Sequence, residues 1–117
     1  MAIHLSMGRA ENIVTRSVEA GLSLVYGHRA VVVRVQAGSF AVGNRFIRGA
    51  EAGTADLIGV VDGIPIAIEV KTRTGRQTDT QREWAERWTV AGGVYVLARS
   101  AAEALEAIGH AADRRRV

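Results

Sequence analysis

The segment from Thr54 to Lys71 leaves this chain little freedom: two apolar runs, Leu57 to Val61 and Ile64 to Val70, meet at Asp62-Gly63. An Asp-Gly pair between such runs marks a two-residue type I′ turn, whose central positions both need positive φ. A hairpin closed there pairs Val61 with Ile64, and counting back along both strands sets Asp56 opposite Glu69. Side chains alternate between the two faces of a strand. Leu57, Val61, Ile64, Ile66, Ile68 and Val70 therefore make one apolar face that must lie on a core. The other face carries Asp56, Ile58, Val60, Pro65, Ala67, Glu69 and Lys71.

In this register Asp56 and Glu69 form a non-hydrogen-bonded pair, with Cβ atoms about 4.5–5.5 Å apart. Two carboxylates so close are unfavourable unless one takes up a proton or a cation sits between them. Oxygen donors suit hard divalent ions such as Mg²⁺ or Mn²⁺. Lys71 projects to the same side, and it is the single lysine beside fourteen arginines. An arginine-rich genome accounts for that ratio without invoking function. A role for an ammonium whose pKa moves readily accounts for it with one.

At 117 residues and 48% hydrophobic, the chain has material for a single domain, expected over residues 1–112. Residues 113–117, with Arg114-Arg115-Arg116, read as a basic tail that serves either solubility or phosphate contact. There is no cysteine, so disulfides and thiolate metal sites are excluded. No apolar run is long enough to span a membrane, and a cytoplasmic setting is expected. The formal charge of +3 suits a polyanionic partner.

From Arg9 to Val25 the apolar positions Ala10, Ile13, Val14, Val18, Leu22 and Val25 recur at helical spacing, and Gly27 ends the pattern. Glu11 in its first turn complements the helix dipole and sits at the margin of the buried face. Val31 to Val35 reads as a strand, and Ser39 to Ile47 as a second. Arg45 and Arg48 either meet DNA phosphates or keep an edge soluble. After the hairpin, Thr72-Arg73-Thr74-Gly75-Arg76 is a basic loop beside the carboxylates, placing Arg73 and Arg76 to hold a phosphodiester backbone. A helix over Asp79 to Ala91 opens with Thr78 and Gln81 spaced as a capping box. A buried strand over Val94 to Ala98 follows, then a closing helix with a Ser100-x-x-Glu103 box. Helices around such strands give an α/β chain with a mixed sheet.

Gly53-Thr54-Ala55-Asp56, Glu69-Val70-Lys71, Thr72-x-x-Gly75, Gln81 and Gly92-Gly93-Val94-Tyr95-Val96 together resemble the virus-type replication-repair nuclease (VRR-NUC) family of the PD-(D/E)XK superfamily. The resemblance spans roughly residues 9–108. It implies a restriction-endonuclease-like core and a Mg²⁺- or Mn²⁺-dependent DNA endonuclease, needing no organic cofactor and acting on branched DNA such as Holliday junctions. Asp56 and Glu69 would hold the ion, helped by the Val70 carbonyl and by Glu11, and Lys71 and Gln81 would complete the active site. A homodimer and a phage or repair setting are further implications. The alternative is a catalytically silent nucleic-acid-binding module that keeps the fold.

Overall fold

A computed structural model of the chain describes residues 8–115. The elements run α1 (Arg9–Tyr26), a 3-10 turn (Gly27–Arg29), β1 (Ala30–Arg34), β2 (Ser39–Val42), β3 (Arg45–Arg48), β4 (Leu57–Val61), β5 (Ile64–Val70), α2 (Asp79–Val90), β6 (Val94–Ala98) and α3 (Ala101–Arg115). Asp62 and Gly63 both adopt positive φ, 52° and 80°, so β4 and β5 are joined by the expected turn, with Val61 opposite Ile64. The strands order as β1-β4-β5-β6, antiparallel except for the parallel pair β5-β6. The parallel step follows from the crossover through α2, which a two-residue turn could not make.

The sheet divides the molecule into three layers. On one face Leu57, Val61, Ile64, Ile66, Ile68 and Val70 meet Val18 and Leu22 of α1 and Ala104 and Ile108 of α3 in the main core. On the other, Ala55, Ala67 and Trp84 form a smaller cluster with Ile58, Trp88 and Tyr95. Trp88 donates its indole N–H to the Val94 carbonyl at 3.0 Å, over Gly93, where a Cβ would come within 2.2 Å of that nitrogen. α2 is thereby locked to β6.

Three expectations need correction. Ser39 to Ile47 is not one strand but a hairpin, β2 paired with β3 in a separate two-stranded sheet around Gly43-Asn44. Gly43 takes the positive φ that the turn requires. The buried stripe of α1 runs through Thr15, Val18 and Leu22, whereas Ile13 and Val25 are exposed. Asp113, Arg114 and Arg115 are the last turn of α3 rather than a tail. There the arginines complement the negative helix end, and Arg115 donates to the Gly92 carbonyl. Arg116 and Val117 lie outside the described residues.

No helix among the described residues is long and apolar enough to cross a membrane.

Candidate active site

The register that places Val61 on Ile64 carries Leu57 onto Ile68, so the next positions, Asp56 and Glu69, stand side by side where β4 begins. Asp56 is fixed from both ends. Its carbonyl accepts from the Val35 N–H at 2.8 Å, and its Oδ2 accepts from the Val70 N–H at 2.8 Å. Its approach is equally constrained: Gly53 has φ +90°, and a Cβ there would lie 2.5 Å from the Thr80 carbonyl in α2. A side chain at that position would push the Asp56 segment off the helix.

Glu69 is 3% exposed, in the middle of the sheet. Its Oε2 accepts from Gln81 Nε2 at 3.1 Å and faces Lys71 Nζ at 3.5 Å. Oε1 is buried with no hydrogen-bond partner. Burial, then the Asp56 charge, push the Glu69 carboxyl up to about 8, with Lys71 pulling the other way. Asp56 is also raised, first by burial and further by the charge of Glu11, against the Val70 N–H that lowers it. The two carboxyl groups act on each other, and burial together with the Asp56 charge favours the protonated form of Glu69 when no cation is bound.

Gln81 resolves the choice left by its spacing, because its one amide serves both ends. The capping box is complete: Thr78 Oγ1 accepts from the Gln81 N–H at 3.1 Å, and Gln81 Oε1 accepts from the Thr78 N–H at 2.9 Å. The remaining NH₂ is then aimed at Glu69. Glu11 is half-buried and near enough for its charge to raise Asp56. Among the described residues, however, no three His, Cys, Asp or Glu side chains gather into a group that could hold a metal ion. Glu19 is engaged elsewhere, in a bidentate pair with Arg34. Arg73 and Arg76 are exposed on the loop after β5, and Arg45 and Arg48 on the β2–β3 arm.

Two contributors escape a reading of the sequence. Arg99, just beyond β6, donates through one nitrogen to the carbonyls of Thr72 and Gly75 and so shapes the basic loop. Tyr95 accepts from Gln77 Nε2 at 2.9 Å, and burial and the charge of Glu69 push its hydroxyl up to about 12. The only signals for them are positional: Tyr95 alternates onto the Glu69 face of β6, and Arg99 directly precedes the Ser100 cap.

No family profile and no curated protein matches this chain. Asp56 and Glu69 supply two oxygen donors of the kind a hard divalent cation takes. Mg²⁺ is commonly held by one or two carboxylates plus water and substrate phosphate. A buried, unpartnered carboxylate oxygen next to a second acidic group is the donor such an ion would satisfy.

Proposed function

We propose that this protein is a divalent-metal-dependent DNA endonuclease of the VRR-NUC type, cutting a phosphodiester bond in branched or duplex DNA. The observation that carries the reading is Glu69 Oε1, buried and without a donor, on a carboxylate whose other oxygen faces Lys71 and which stands beside Asp56. A structural carboxylate that deep would be fully hydrogen-bonded.

Asp56 and Glu69, with the Val70 carbonyl, would hold Mg²⁺ or Mn²⁺, and Glu11 acts on the pair through its charge. When bound, the ion supplies Lewis acidity toward a phosphoryl oxygen and toward water. Lys71, nearly buried beside Glu69, would orient the attacking water or stabilise the negative charge that develops on the phosphate as an ammonium, or deprotonate the water as the neutral amine. The water oxygen bonds to phosphorus as one ester P–O bond breaks, and the departing oxygen takes a proton. Gln81 keeps the Glu69 carboxylate in place while its own carbonyl is tied to the start of α2. Arg73 and Arg76 are exposed on the loop that follows Lys71 and is held by Arg99, which suits the DNA backbone.

The test is incubation with linear and four-way-junction DNA in Mg²⁺, Mn²⁺ or EDTA. Cleavage that needs metal and disappears in Glu69→Ala supports the reading. Binding of DNA without cleavage in either metal would leave a nucleic-acid-binding module that has kept the fold.

A further inference from the structure

Among the described residues, β1 lies at the edge of the four-stranded sheet and pairs only with β4. On the face opposite the main core, α2 packs over β5, β6 and Ile58 of β4. Val31, Val33 and Val60 are 67%, 59% and 48% exposed, with Val31 and Val60 directly paired across the two strands. Ala30–Arg34 contains neither proline nor lysine, two of the usual protections of an edge. Its one cation, Arg34, is drawn onto α1 by Glu19 and Asn12, away from the valine face.

The hydrogen-bond parity shows what the edge offers. Arg29 and Val35 bond to β4 and its flank through Asp62 N–H→Arg29 carbonyl and Val35 N–H→Asp56 carbonyl. In an antiparallel ladder such positions alternate, so Val31 and Val33 also face β4. Val32 and Arg34 turn their N–H and C=O groups outward together with the Ala30 C=O, whereas the Ala30 N–H is taken by the Gly27 carbonyl. An identical strand laid antiparallel about Val32 sets Val32 against Val32 and Ala30 against Arg34, so the N–H and C=O of Val32 pair with their own copies and the Arg34 N–H finds the Ala30 C=O. On the exposed side Val31 meets Val33, and no like charges oppose. A strand that complements itself under a two-fold rotation suits an isologous contact. The stripe carries no cation to attract nucleic acid.

We propose that a second copy of this chain pairs edge to edge with β1, antiparallel about Val32, continuing the sheet across the two-fold axis. The proposal does not depend on the nuclease reading, and its test reads mass rather than cleavage. Sedimentation velocity on the full chain should give a concentration-dependent dimer, twice 12.5 kDa. The double variant Val31→Lys with Val33→Lys should sediment as a monomer with an unchanged circular dichroism spectrum. Val31→Lys with Val33→Glu should restore the dimer, because an ammonium then faces a carboxylate across the axis. A wild-type chain that stays monomeric at every soluble concentration, or a dimer indifferent to both variants, overturns the proposal.

Discussion

A carboxyl group that keeps its proton near neutrality stores a stability change that pH can release. Glu69 titrates at about 8 in the folded chain against 4.5 as a free side chain, so the folded state binds more protons across that interval. Metal-free stability is therefore full below about pH 4.5, falls as the pH climbs toward about 8, and levels off above it. A divalent ion reverses the sense, because binding it expels the proton. The rise in melting temperature caused by Mn²⁺ should grow from pH 6 to pH 8, read by thermal melts with Mn²⁺ and with EDTA. Glu69→Gln should abolish that rise, increase the metal-free melting temperature at pH 8, and cut metal-dependent cleavage by about 100-fold or more. Strand alternation alone makes the pairing of Asp56 with Glu69 legible, since every side chain's face is set once one turn is placed. The Tyr95–Gln77 bond and the Arg99 clamp are not legible. Each joins groups far apart in sequence, at positions where periodicity says nothing about which polar atoms meet.

At the level of elements, Gln81 ties the start of α2 to the site, and the two duties can be separated. Thr78→Ala removes the oxygen that caps the Gln81 N–H and should cost about 1 kcal/mol in urea unfolding. Gln81→Glu keeps an acceptor for the Thr78 N–H but replaces the donor to Glu69 with another carboxylate. It should leave the helix content intact yet lower cleavage and shift the pH dependence of melting further upward. The boundaries of α1, β5, α2, β6 and α3 are readable because each has a stop or a cap: Gly27, Asp62-Gly63, Thr78, Gly92-Gly93 and Ser100. The β2–β3 arm defeats the same reading for a physical reason. Residues Ala41 to Arg48 are solvent-exposed on both faces, so no apolar alternation marks where one strand ends and the next begins. Ser100 illustrates a smaller miss: its hydroxyl caps the Glu103 N–H as expected, but the Glu103 carboxylate reaches back to the Arg99 N–H.

For the whole molecule, the class of mixed sheet flanked by helices follows from the order of elements, whereas the side each helix covers does not. That choice rests on residues such as Gly93 and Trp88, whose fit emerges only in three dimensions. The molecule is elongated, 52 × 29 × 28 Å, and exposed arginines lie on α1, α2 and α3 as well as on the loop after β5 and the arm. Arg73→Gln with Arg76→Gln should weaken DNA binding at low salt and lower the slope of log K against log salt by about one for each phosphate left without its arginine. The arm is rooted at one point. Gly38 N–H bonds to the Ala50 carbonyl, Gly49 N–H to the Gly38 carbonyl and Ala50 N–H to the Gln36 carbonyl, and a Cβ on Gly49 would sit 2.2 Å from that last oxygen. Residues 39–48 are thus spliced into the chain like a cassette. Replacing them with a short glycine-serine bridge should leave the Mn²⁺ response of the melting temperature unchanged, and a hairpin of foreign sequence could be grafted at the same seam to alter which DNA is retained while the chemistry at Glu69 stays as it was.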